Sequence, residues 1–179
     1  MKRIKVLTFA VSCIMFLIGG TFSFCYETTV SDSGDAPIMK GSVLKNYNKG
    51  RKFLMNGDNL NAIRYLNRAL KISPKNTSVL NTLGTAYQHQ KKYSIAMKYF
   101  KKALKIDPND FVAYINIGVI YMELKKYEFA VANFRKAYEI DPESEIAQQN
   151  LQIAENYLKV ENAPIGSTIT VQDGNVMVE

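Results

Sequence analysis

The chain has 179 residues, a formal net charge of +7, 47% apolar residues and 22% charged ones. That size and balance suit a folded domain and exclude a chain disordered throughout. Both cysteines, Cys13 and Cys25, lie near the amino terminus, so the remainder carries neither a disulfide framework nor a cysteine-based metal site.

Residues 1–25 open with Lys2, Arg3 and Lys5 and continue as an apolar run from Val6 to Ile18, before Gly19, Gly20, Thr21 and Ser23. This is the pattern of an export signal or an amino-terminal membrane anchor. The basic start and the acids that follow, Glu27, Asp32 and Asp35, direct the rest of the chain away from the cytoplasm. Three fates stay open: cleavage after Gly20, Ser23 or Cys25; retention, with residues 6–24 in the membrane; and lipid attachment at Cys25, which the bulky Phe24 disfavours. Residues 26–42 are rich in Ser, Thr, Asp, Gly and Pro and have no apolar period, so they read as a flexible linker.

A repeat follows. Pro74, Pro108 and Pro142 stand 34 residues apart, and Gly50, Gly84 and Gly118 keep step with them. So do Phe53, Tyr87 and Tyr121; Ala62, Ala96 and Ala130; Leu66, Phe100 and Phe134; and Ala69, Ala103 and Ala137. Within the second unit, Leu80, Leu83 and Tyr87, then Ala96, Phe100, Ala103 and Leu104, recur at steps of three and four, the stripe of two amphipathic helices. Gly84 set against Ala96 and Ala103 is expected to let the two helices approach closely, with aromatic rings filling the gaps between pairs. Burial of one such stripe does not offset the ordering of its own unit, so stability must come from stacking.

The units are 43–76, 77–110 and 111–144. In the first, Asn46 and Lys49 hold phases that Leu80 and Leu83 fill in the second, which suits an end left wet by the lack of a preceding helix. Gly57 fits a left-handed turn; Lys91 and Lys125 hold the same place later, at a cost if that geometry is kept. Residues 145–160 form a capping helix, with Ile146, Leu151, Ala154 and Leu158 on its apolar face. In the tail, 161–179, alternating residues flank Asp173-Gly174, and both disorder and a short hairpin are open.

These phased residues resemble the tetratricopeptide repeat (TPR) over about residues 43–144. The resemblance implies an all-α, right-handed solenoid of three helix pairs with a concave face that binds other proteins. It implies no chemistry, and the chain shows no phosphate loop, metal spacing or nucleophile motif. His89, the only histidine, stands without a catalytic constellation. The expectation is a non-catalytic protein without cofactor or metal.

Stepping by three and four along the first helix of each unit gives the expected groove: Leu44, Tyr47, Arg51 and Leu54; Ser78, Asn81, Thr85 and Gln88; Val112, Ile115, Val119 and Met122. The second set suits hydrogen bonds to a peptide backbone. Tyr47 and Arg51 would supply an aromatic wall and a carboxylate contact. The third set is an exposed apolar stripe, unless the capping helix or the tail covers it. Some family members grip the acidic carboxy-terminus of chaperones with Lys, Asn and Arg side chains. Here Tyr47 and Val112 stand where lysines are expected and Asn116 where an arginine is, which argues against that ligand.

Charge is uneven along the array: residues 43–76 carry eight Lys or Arg against one acid, 77–110 six against two, and 111–144 four against five. That gradient fits an acidic partner or anionic surface near the first two units, or merely solvated lysines. The sequence therefore reads as an exported interaction scaffold, periplasmic, secreted or anchored facing outward, that binds a protein segment and takes part in assembly of an envelope or secretion complex. The alternative is a self-associating structural protein that uses its tail or end helix. Its oligomeric state is open. Nucleic acid is not an expected partner, since the groove lacks a repeated base-reading pair.

Overall fold

Helix follows helix at the spacing the repeat demands. A computed structural model describes residues 41–179 apart from 166, 173 and 179; the leader 1–25 and nearly all of the linker lie outside the described residues. Three antiparallel pairs run in order: α1 (Gly41–Met55) with α2 (Asn59–Ile72), α3 (Thr77–His89) with α4 (Tyr93–Ile106), and α5 (Phe111–Glu123) with α6 (Tyr127–Ile140). The single helix α7 (Glu145–Glu161) closes the array, and strands β1 (Ile169–Gln172) and β2 (Asn175–Val178) follow.

Local chemistry places the helix ends. Asn76, Asp110 and Ser144 stand at one phase of the repeat, and each side chain accepts from the N–H three residues on, at 2.9, 3.1 and 3.4 Å. This satisfies a donor that the first turn leaves free. The turn inside each pair is left-handed, with φ of 76° at Gly57, 57° at Lys91 and 56° at Lys125. The N–H after each returns to the helix, Asp58 to the Phe53 carbonyl, Lys92 to Tyr87 and Lys126 to Tyr121. That is the Schellman closure. Both lysines thus keep the geometry that favours glycine.

Close approach within a pair centres on the glycine of its first helix. A Cβ added to Gly84 would lie 2.4 Å from the Phe100 ring, and one on Gly118 would lie 2.6 Å from the Phe134 ring. In the first pair the carbonyl oxygen of Ala62, the counterpart of Ala96, stands 3.3 Å from a Cβ added to Gly50, so the alanine phase also approaches the glycine. Aromatic rings stack both inside pairs, Phe53 on Tyr65 and Tyr87 on Tyr99 at 5.3 and 5.5 Å, and across the last gap, where Tyr127 of α6 stacks on Tyr157 of α7 at 5.2 Å. In the third pair Tyr121 stacks on Phe129 at 5.2 Å, since Asn133 takes the place of Tyr99.

The core is continuous from pair to pair. Val43, Tyr47, Leu66, Val79 and Leu83 join the first two units. Leu80, Phe100, Ala113, Ile117 and Ile120 join the second to the third. Ile115, Val131, Phe134, Ala147 and Ala154 join the third to α7. At the opposite end Lys49 stays exposed and Asn46 half-buried.

The tail holds a hairpin, paired in the register Ile169 with Val178 and Gln172 with Asn175. It lies on the polar side of α7. Asn156 donates to the Gly174 carbonyl at 2.7 Å and accepts from Val176 N–H at 3.1 Å, while Gln152 donates to Asn175 at 3.1 Å. Two strands alone are marginal in water, so α7 acts as their support.

Candidate peptide-binding groove

Successive first helices touch directly, α1 with α3, α3 with α5 and α5 with α7, and the second helices make no comparable contact. The first helices therefore follow the inner, shorter arc of the solenoid. Their inward positions are the groove residues expected from the sequence, and the structure divides them into three groups.

The exposed and half-exposed members are Leu44, Arg51, Leu54, Ser78, Thr85, Val112 and Met122. Tyr47, Asn81, Gln88, Ile115 and Val119 are buried. Tyr47 is not an open aromatic wall: it lies in the first core cluster, its hydroxyl meets Thr82 Oγ1 at 3.4 Å, and the Arg51 guanidinium stands 5.8 Å from its ring centroid. Leu54 packs at the edge of the same cluster.

The apolar stripe of the third unit is closed at Ile115 and Val119, while Val112 and Met122 stay half-exposed. Ile115 is fully buried, and with Val119 and Met122 it packs in a cluster that includes Ala147, Leu151 and Ala154 of α7. The capping helix covers it, because α7 continues the inner arc by one more helix. Among the described residues, the open groove is thus the inner side of α1 and α3 with the start of α5.

The polar set of the second unit is held by two acids that sequence reasoning passed over. Asn81 Nδ2 donates to Asp110 Oδ2 at 2.7 Å, and Gln88 Nε2 donates to Glu123 Oε1 at 2.7 Å. The other Glu123 oxygen accepts from the Tyr93 hydroxyl at 2.6 Å, which pushes the Tyr93 pKa up to about 12. Burial raises the Asp110 pKa, and the bonds from Asn81 and Ala113 oppose that rise. His89 is half-buried, and burial lowers its pKa against the pull of Glu123. The phase that Asp110 shares with Asn76 and Ser144 is the signal that could have marked it as a cap; its second role as an inter-unit tie has no such signal. Thr85 Oγ1 donates to the Asn81 carbonyl at 3.1 Å, and Asn81 Oδ1 is buried with no partner.

What this surface offers is recognition by shape and hydrogen bonding. No group of three His, Cys, Asp or Glu side chains among the described residues is placed to hold a metal ion. No described helix is long and apolar enough to cross a membrane; the span expected over 6–24 lies outside the described residues.

Comparison with curated protein sequences returns no significant match. Solved structures do match. The Arabidopsis OM64 TPR domain has a TM-score of 0.60 at 22% identity, over 67% of this chain and 96% of that one. The Sgt2 TPR domain from Aspergillus fumigatus has a TM-score of 0.66 at 19% identity, over 75% of this chain and 91% of that one. The first TPR of Spaghetti (RPAP3), solved with the HSP90 peptide SRMEEVD bound, has a TM-score of 0.60 at 23% identity, over 68% of this chain and 98% of that one. Tetratricopeptide repeat family models match residues 46–76, 78–110 and 111–144, and with these three successive units the chain belongs to the tetratricopeptide repeat family.

Proposed function

We propose that this protein is a non-catalytic interaction module that holds a segment of another protein along the inner side of α1 and α3. The observation that carries this is the division of the groove. Arg51, Ser78, Thr85 and Val112 remain accessible, whereas Ile115 and Val119 are buried in the core that the third unit shares with α7. The surface so defined is polar, with one cation and aliphatic edges at Leu44 and Val112. It suits an extended backbone carrying a carboxylate near Arg51. An acidic chaperone carboxy-terminus is not the ligand this surface favours, because Tyr47 and Val112 stand where lysines are expected and Asn116 where an arginine is, and Tyr47 and Asn116 are buried.

On the reading of residues 1–25 as an export signal or anchor, the array works outside the cytoplasm, with residues 6–24 as its membrane tether. Assembly of an envelope or secretion complex is the setting that this reading favours. A photo-crosslinking side chain placed at Ser78 or Thr85 in living cells tests the groove. A partner trapped there, absent when the probe sits at the exposed Ser94, supports it. Equal trapping at Ser94, or unchanged trapping in Arg51→Ala, counts against it.

One observation favours self-association as the second reading. Val176 turns its N–H and carbonyl toward Asn156 and Lys159, so the residue opposite it, Val171, points its own backbone groups to the free edge of β1. Sedimentation at rising concentration, with Val171→Pro beside the parent, tests this. A concentration-independent monomer removes it.

A further inference from the structure

The second helices carry a feature that the groove does not use. Helices α2 and α4 contain no acidic residue at all. On α2, Arg64, Arg68 and Lys71 are exposed; on α4, Lys98, Lys101, Lys102 and Lys105 are exposed. At 3.6 residues per turn the cations fall on one outward stripe, about 60° wide on α2 and about 100° wide on α4, opposite the buried Ala62, Leu66 and Ala69 and their α4 counterparts. Arg64, Arg68 and Lys71 are 34 residues from Lys98, Lys102 and Lys105, so the two stripes lie in register on neighbouring outer helices.

None of these cations has a carboxylate within ion-pair distance among the described residues. The third unit differs: Arg135 pairs with Glu155 at 2.9 Å and Lys136 with Glu139 at 3.0 Å. On the first unit, Arg64 and Arg68 stand 5.3 and 5.2 Å from the Tyr65 ring centroid, and Lys49 reaches the same ring at 5.4 Å. A ring face eases the crowding of like charges but does not neutralise it. The stripes also carry exposed aliphatic side chains, Leu60 (75% exposed) and Ile72 (49%) on α2, with Ile95 and Ile106 on α4.

We infer that this outer face docks on an anionic lipid bilayer. Cations spread over two parallel helices complement a charged plane, and aliphatic tips set among them enter the headgroup boundary. Phosphodiester chains would use the cations and leave Leu60, Ile72 and Ile106 without a role. The membrane would then lie against α2 and α4, with the groove of α1 and α3 turned toward solution. The inference stands on the charge and exposure of these helices and does not depend on what the groove binds.

Cosedimentation of the full chain with vesicles of phosphatidylcholine alone, or mixed equally with phosphatidylglycerol, tests it. The anionic lipid should strengthen binding about a hundredfold at low salt, and that gain should shrink as salt is added. Changing Arg64→Gln, Arg68→Gln, Lys98→Gln and Lys102→Gln together should remove most of the gain. Binding to phosphatidylcholine alone, through the apolar stretch 6–24, should stay as it was. The charge-preserving set Arg64→Lys, Arg68→Lys, Lys98→Arg and Lys102→Arg should keep the gain. No gain from phosphatidylglycerol with the parent chain overturns the inference, as does a gain that the glutamine set retains. Capture of single-stranded RNA or a polyglutamate peptide by the same four residues, with vesicles ignored, would overturn it and name a different ligand class.

Discussion

Asn81 and Asp110 are 29 residues apart, yet Asn81 Nδ2 lies 2.7 Å from Asp110 Oδ2 while the other oxygen of that carboxylate caps α5 through Ala113 N–H. One acid thereby starts the third unit and ties it to the second. Burial holds its pKa above the ordinary aspartate value. A native state with the higher pKa binds the proton more tightly than the unfolded chain does. The stability linked to this proton is present below the unfolded value and is lost as pH rises through the raised native one.

Asp110→Asn should remove that loss. Asparagine caps as well as aspartate, and rotation of the Asn81 amide would let its unpartnered Oδ1 accept from the new side chain. In urea unfolding, the variant should gain on the parent between acid and neutral pH. A stability difference that does not change with pH would contradict this account.

A methyl group at Gly84 or Gly118 has nowhere to go, since the facing Phe100 or Phe134 ring stands within 2.6 Å of the added Cβ. Gly84→Ala should cost about 1–3 kcal/mol through overpacking. Pairing it with Phe100→Leu should cost less than the sum of the two single changes, because the smaller side chain vacates the space. Strict additivity in urea midpoints would show that the two sites are not in this contact.

Lys91 and Lys125 hold φ near 57° without help from a missing Cβ. Lys91→Gly and Lys125→Gly should each stabilise the array by up to about 1 kcal/mol. Thermal melts followed by circular dichroism would show the rise, and a lowered melting temperature would refute it.

Arg51 and Ile115 share the expected groove but not the same role. Ile115→Ala should cost about 2–5 kcal/mol, as for a buried aliphatic side chain in a packed core. Arg51→Ala should change stability by less than about 1 kcal/mol, as for a half-exposed surface position. Comparing both by urea unfolding before any binding assay separates loss of fold from loss of contact.

Asn156 holds the hairpin by two backbone bonds, to Gly174 and Val176. Asn156→Ala should speed amide exchange at Val176 while the helical circular dichroism stays unchanged. Unaltered exchange would mean that the hairpin is held by other contacts.

Much of the architecture was readable because its determinants are local. A period of 34 and apolar steps of three and four depend only on helix geometry and near neighbours in the chain. The all-α array of stacked pairs follows from them.

Tertiary structure alone decided the rest, because the exposure of a helix position depends on which other helix lies over it. Thr85 and Val119 hold the same phase on equivalent helices, yet Val119 is buried in a core to which α7 contributes while Thr85 stays half-exposed. Likewise, the reach of Lys136 to Glu139, three residues on in the same helix, is legible in the sequence, whereas only the fold shows that Glu155 of α7 comes within reach of Arg135. Periodicity assigns a residue to a face; packing determines what, if anything, meets that face.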